Sequence, residues 1–287
     1  MHVTLHGPTL NIPHYIPNSL VNFWQLHAQL SSIQLSTNSS SAPPSSQAPC
    51  TLTQPIMDLF GDGSFVGDDL VAPAPIMEAK ITSADFGLLE KPILIHEDLA
   101  KGCGGMIWPA GEVLTKWVLK KYMGTTELRG KRIVELGAGG GITSLAVAVG
   151  CDLEGADLYM TDMKAMYELM KDNVKLNKLE DKIKVELLDW ANPVPDAIAE
   201  KPVDIILAAD CVYFEPAFPL LEKTLVDMVG ENTVVFFCFK RRRRADLHFV
   251  KAIRKRLHIV EVDINNDPDY EAFKRENLFL YIMTKKA

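Results

Sequence analysis

The run Ile133-Val134-Glu135-Leu136 breaks off into Gly137-Ala138-Gly139-Gly140-Gly141, and an apolar stretch over 142–149 follows at once. A short apolar strand, a glycine turn and a helix, in that order, open a βαβ unit. Glycines let the backbone take positive φ and approach a ligand closely. The helix that starts behind them offers unpaired N–H groups. A chain carrying this feature needs further parallel strands and crossover helices to cover it.

The rest of the chain supplies them. Strands are predicted at 133–136, 158–161, 183–187, 205–208, 234–239, 259–264 and 279–283. Helices are predicted between most of them, at 142–149, 165–176, 217–229 and 246–257. That alternation predicts an α/β fold: a doubly wound, mainly parallel seven-stranded sheet with helices on both faces. The last two strands have only a polar stretch between them, 267–276, so the final strand is expected to be antiparallel. Upstream, 80–86 and 93–96 read as a hairpin. A glycine turn follows at Gly102-Cys103-Gly104-Gly105, and then Trp108-Pro109-Ala110 leads into a helix. Pro109 suits the first turn of that helix, and Val113, Leu114, Trp117 and Val118 recur at helical spacing.

The N-terminal part is different. Its first 57 residues contain no Asp, Glu, Lys or Arg, yet hold four of the seven histidines, and 31–46 is rich in Ser and Pro. Residues 1–56 are therefore read as a disordered or non-native extension, with Met57 a candidate start. Residues 58–75 read as extended. Residues 57–130 would form the hairpin and helix leading into a catalytic core over 131–287. Five cysteines with no Cys-x-x-Cys pair argue against a disulfide framework or a zinc site. A net charge of -7 argues against a general nucleic-acid binder. No apolar run is long enough to span a membrane. A cytoplasmic monomer without a metal is expected.

The residues at the carboxyl ends of the strands suggest a ligand, because doubly wound sheets bind there. The dinucleotide fingerprint needs a third glycine where this chain has Ile142. A carboxylate at Glu135 would oppose a pyrophosphate and suits a ligand with a positive amino group, such as S-adenosylmethionine. Asp162, at the end of the second strand, can accept bonds from both ribose hydroxyls. Trp190, after the third strand, can cover an adenine ring. The small Ala209 leaves room beneath the fourth strand end, and Asp210 and Tyr213 are expected to point into the same mouth. Lys240-Arg241-Arg242-Arg243-Arg244 reads as a docking surface for an acidic or polar partner. The core motifs alone leave RNA or a small molecule open as substrate, and a non-catalytic adaptor open as a role.

Taken together, Glu135-Leu136-Gly137-Ala138-Gly139, Asp162, Asp189-Trp190 and Asp210-Cys211-Val212-Tyr213 resemble the seven-β-strand protein-lysine methyltransferases of methyltransferase-like family 16. Cys103-Gly104-Gly105 with Trp108, the stretch 207–225, and Phe239-Lys240-Arg241-Arg242-Arg243-Arg244-Ala245-Asp246 carry the more particular likeness. The resemblance spans about 57–286. It implies that Trp108, Gly137, Ala138, Gly139, Asp162, Trp190 and Ala209 bind S-adenosylmethionine. It also implies that Asp210 and Tyr213 form an Asp-x-x-Tyr motif at a target-lysine channel. Within the family it runs toward fungal members, which implies a lysine of translation elongation factor 1-alpha as target. Gly140 departs from the pattern, since many relatives carry Thr or Ser there.

Overall fold

A computed structural model describes residues 79–262, 273 and 275–286. The expectations for 1–56 and 58–75, and most of the polar stretch 267–276, lie outside the described residues. Within them a seven-stranded sheet is built from β3 (Arg132–Leu136), β4 (Asp157–Asp162), β5 (Ile183–Leu187), β6 (Ile205–Ala209), β7 (Val234–Lys240), β8 (Leu257–Glu261) and β9 (Leu278–Lys285). Its order is β5-β4-β3-β6-β7-β9-β8. The pairs from β5 through β7 are parallel, and β9 runs antiparallel to both of its neighbours. This is the doubly wound α/β sheet with an antiparallel last strand that the alternation predicted.

Both faces are covered. On one lie α1 (Pro109–Tyr122), α2 (Ile142–Gly150) and α3 (Lys164–Leu176), packed in a cluster that includes Leu114, Val118, Leu145, Met170 and Phe236. On the other lie α4 (Asp196–Ala199), α5 (Phe218–Met228) and α6 (Asp246–Ile253), around Ile206, Leu221, Phe237, Phe249 and Ile253. A strand covered on both faces has no polar side to show. That explains why β3 is buried at all five positions and why β7 reads Val-Val-Phe-Phe-Cys-Phe before its final lysine.

Two predicted boundaries move. The last crossover helix ends at Ile253, not near 257, and Leu257 already opens β8. The apolar spacing of Val250, Ile253 and Leu257 fits a continued helix equally well, so periodicity could not separate the two. The short α4 gave no periodic signal.

The hairpin forms as expected, with β1 (Lys80–Ala84) paired to β2 (Ile93–Glu97) antiparallel as a separate two-stranded sheet. It is fastened to α3 by two asparagines. Asn173 Oδ1 accepts the His96 N–H at 2.7 Å, and its amide donates to the His96 carbonyl at 3.2 Å. One helical turn on, Asn177 repeats the pattern on Leu94, at 2.8 and 2.6 Å. The asparagine amides thus bond β2 as a neighbouring strand would. Asn173 also donates to the Gly140 carbonyl at 2.9 Å, so one side chain ties the hairpin to the glycine loop.

Candidate active site

The sheet order reverses between β3 and β6. From β3 the chain winds toward β4 and β5, and from β6 it winds toward β7. Helices crossing to opposite faces leave a crevice at the carboxyl ends of those two strands. The glycine loop leaves β3 there, and Ala209-Asp210 leaves β6 beside it.

The loop is held by backbone and carboxylate. Gly137, Gly139 and Gly141 have φ of 60, 55 and 82°. The Ala138 N–H donates to the Thr161 carbonyl at 3.0 Å, and the Gly139 N–H donates to Asp162 Oδ2 at 2.8 Å. All three glycines also fill tight places. A Cβ on Gly139 would stand 2.5 Å from the Gly104 carbonyl oxygen, so the turn after the hairpin lies directly on the loop. A Cβ on Gly137 would stand 3.0 Å from Cys211 Sγ and 3.1 Å from Trp190 Cζ2. Trp190 therefore packs over the first glycine of the loop, at the crevice.

The two carboxylates expected to meet a ligand are placed differently. Asp162 is at the rim of β4. Each of its oxygens accepts one backbone N–H, from Gly139 and, at 2.6 Å, from Met163. A carboxylate has about four acceptor sites, so capacity remains for further donors. Burial pushes its carboxyl up to about 6, against the pull of those N–H groups. Glu135 lies under the loop, 2% exposed, and its Oε2 accepts the Ser144 N–H at 2.9 Å. It thereby caps the amino end of α2, whose N-cap Gly141 has no side chain to do so. Burial lifts Glu135 to about 7. The sequence suggested only a ligand contact for Glu135, and the capping role was not foreseen.

Trp108 is the N-cap residue of α1, with Pro109 next. Its indole N–H donates to the Cys103 carbonyl at 2.8 Å. The Arg242 guanidinium stands 5.4 Å from its ring centre, within cation–π range.

Asp210 and Tyr213 follow β6. Asp210 adopts φ of 56°, a left-handed conformation unusual for a residue with a side chain. Its N–H donates to the Cys238 carbonyl at 2.7 Å. Its carboxylate is gripped by Arg242 through two parallel bonds of 2.9 and 2.6 Å and also accepts the Lys240 N–H at 3.2 Å. Tyr213 is 38% exposed. The surrounding protein and the negative charge of nearby groups, among them Asp162 and Asp210, raise its phenol above the ordinary range, so it stays protonated.

Much of the basic run is engaged within the protein, although Arg243 and Arg244 stay exposed. Arg242 turns inward to Asp210. Arg243 donates to the Tyr213 carbonyl and, at 3.1 Å, to Asp246 Oδ1. Asp246, fully buried, also accepts the backbone N–H groups of Arg242 and Arg243, both at 2.8 Å. Lys240 lies 3.6 Å from Glu276, and Arg241 bonds Asn277 at 3.1 Å. A charge run reads as solvated only while its carboxylate partners, distant in sequence, are unknown.

A cavity of about 370 Å³ lies elsewhere, lined by residues including Ile198, Pro202, Val203, Met228 and Gly230. It shares no residue with the glycine loop or with the loops after β6 and β7. The crevice, where the functional groups converge, is the candidate site.

Known proteins are similar to this chain. A family model described as lysine methyltransferase matches residues 88–256. The Saccharomyces cerevisiae protein-lysine N-methyltransferase EFM6 is 34% identical over 241 residues, covering 76% of this chain and 96% of that protein. The Danio rerio protein N-lysine methyltransferase METTL21A is 31% identical over 211 residues, covering 72% and 93%. The Mus musculus EEF1A lysine methyltransferase 3 is 28% identical over 176 residues, covering 60% and 72%. The matched span includes the glycine loop, Asp162, Asp210 and the inward-turned arginines, and by it this chain belongs to the lysine methyltransferase family.

Proposed function

We propose that this enzyme uses S-adenosylmethionine to methylate a lysine side chain of translation elongation factor 1-alpha. The cofactor reading rests on the crevice between β3 and β6. Its floor is a glycine backbone that carries no side chain of its own at Gly137 and Gly139, with Trp190 standing over Gly137, and its rim carries Asp162 with unused acceptor capacity. A nucleoside with ribose hydroxyls and a cationic sulfur fits that donor set. Gly137, Ala138 and Gly139 would lie against it, Asp162 would take the ribose, and Trp108, Trp190 and Ala209 would bound it. Glu135 would place negative charge beneath its cationic end. The target reading rests on one observation, the mouse relative whose name specifies elongation factor 1-alpha.

Bound S-adenosylmethionine supplies a methyl group already activated by its sulfonium. The protein must then bring a neutral amine in line with that methyl. Orientation of this kind is worth ~7–11 kcal/mol of barrier. An ordinary lysine has a pKa of about 10.4, so near pH 7 the free amine is scarce by roughly three powers of ten. The amine sheds its proton to water on entering, its lone pair forms the new N–C bond, and the C–S electron pair stays on sulfur. Tyr213, held protonated, lines the entrance.

The test is transfer of labelled methyl from S-adenosylmethionine to purified elongation factor 1-alpha, with mass spectrometry of its lysines. Label on a lysine supports the proposal. Label in a cell lysate that appears in RNA or small molecules, and not on this protein, rejects it.

A further inference from the structure

The bond between Asp210 and Arg242 goes beyond that reading, though it rests on it. A lone carboxylate at the mouth of a lysine channel works against transfer. It stabilises the ammonium form, with effects of about 1–3 pK units at 4–6 Å, and the ammonium has no lone pair to attack with. In this chain the carboxylate is not alone. Asp210 shares two parallel bonds with Arg242, and the Asp210 side chain is 6% exposed. Arg242 is held in turn. Its N–H is taken by the buried Asp246 at the start of α6, and its guanidinium faces the Trp108 ring. We propose that Arg242 is a positioning residue for methyl transfer: it cancels the charge of Asp210, so that the target lysine enters as the free amine, and it fixes Asp210 and Trp108 on either side of the mouth.

The geometry restricts the alternatives. A planar guanidinium meets a carboxylate fork to fork, which a lysine cannot do. The pair draws on three separate elements, the loop after β6, the loop after β7 and the start of α1, so it is not a local turn contact. The other titratable groups around it include Cys211 and Tyr213 from the loop after β6, Cys238 and Lys240 from β7, Arg243 from the loop after β7, Asp162 from β4, Glu135 from β3, Asp246 from α6 and Cys103 from the turn before α1. Burial raises Cys211 and Cys238 above their ordinary ranges, and the surrounding protein and nearby acidic groups raise Tyr213. These three therefore stay neutral through mildly alkaline pH.

The experiment is the pH profile of kcat and KM for methylation of purified elongation factor 1-alpha by the full chain, in four forms: wild type, R242Q, R242K and the double variant D210N/R242Q. Binding of S-adenosylhomocysteine is measured in each as a check that the cofactor crevice is formed. In R242Q the bare carboxylate should hold the lysine as ammonium. The limb along which activity rises with pH should move up by about one pH unit and kcat at pH 7.5 should fall roughly tenfold, with KM unchanged or lower. R242K keeps the charge but not the fork, so its limb should stay at the wild-type position while kcat drops. D210N/R242Q removes both charges and should return the limb to the wild-type position, even if R242Q alone folds poorly. An R242Q limb at the wild-type pH, or a double variant whose limb stays displaced, overturns the inference. A wild type inactive on elongation factor 1-alpha overturns the proposed function and this inference with it, whereas an active wild type with indifferent Arg242 variants overturns this inference alone.

Discussion

Asn173 and Asn177 give a controlled comparison, because the same side chain makes the same bonds at two depths. Each makes three hydrogen bonds: Asn173 to the His96 N–H and to the carbonyls of His96 and Gly140, and Asn177 to the Leu94 N–H and to the carbonyls of Leu94 and Asn173. Asn173 is fully buried, whereas the Asn177–Leu94 bonds are exposed. In Asn173→Ala, one donor and two acceptors lose their partner where water does not easily reach. At ~1 kcal/mol per bond, and more where a buried group is left unsatisfied, the loss is roughly 3 kcal/mol. In Asn177→Ala, water replaces most of what is removed, and the loss is about 1 kcal/mol. Urea denaturation of both variants measures the difference directly, provided the m-values match. Asn173 alone reaches Gly140, so only Asn173→Ala should also weaken S-adenosylhomocysteine binding, by roughly tenfold if ~1.4 kcal/mol of loop ordering is lost. Equal stability losses at the two sites, or an Asn173→Ala protein with wild-type ligand affinity, would refute the idea that one buried amide couples the hairpin to the loop.

Gly139→Ala must both adopt φ of 55° and place a Cβ 2.5 Å from the Gly104 carbonyl, so cofactor binding by calorimetry should be lost rather than merely reduced. Trp190→Ala uncovers Gly137 without touching the loop backbone, and fluorescence titration should show weaker S-adenosylhomocysteine binding with the Tm little changed. The pH dependence has a definite sign. Glu135 and Asp162, raised to about 7 and about 6, are ionised above pH 7, so affinity for the cationic cofactor should fall as pH drops through that window. Carboxyls with raised folded pKa values contribute stability that is present at low pH and lost as pH rises through 6 to 7. Their contribution to the stability of the unliganded protein therefore slopes the opposite way, and Glu135→Gln should flatten the upper part of both curves.

What the sequence disclosed and what it hid follow a physical line. Apolar runs and glycine turns are local, so seven strands, their alternation with helices and the glycine loop were legible residue by residue. The site residues expected at strand ends are brought to one edge of the sheet because the topology requires it. The partners of those residues were not legible. Asn173 sits in an amphipathic helix and looks like a solvated polar residue until β2 is laid beside it. Glu135 invites a ligand reading, and only the position of α2 shows that it also caps a helix. The basic run looked like a surface because Asp210 and Tyr213 are some thirty residues away in the chain. The one pairing within the run that sequence could have suggested is Arg243 with Asp246, three apart at a helix start.

The acidic residues converging on Cys211, namely Asp162, Asp210 and Glu135, are not equivalent, and the difference lies in what answers their charge. Glu135 and Asp162 are met by peptide N–H groups, which direct a carboxylate without cancelling it. Above pH 7 their net charge is available, and burial strengthens its demand for a cation. Asp210 is met by a full guanidinium and has no net charge to offer. On the proposed reading, one half of the crevice would attract a cationic ligand, while the half facing the Asp-x-x-Tyr segment would not. For transfer between a sulfonium and an amine that division is the useful one, because the methyl donor has to be held as a cation and the acceptor has to be admitted without its proton.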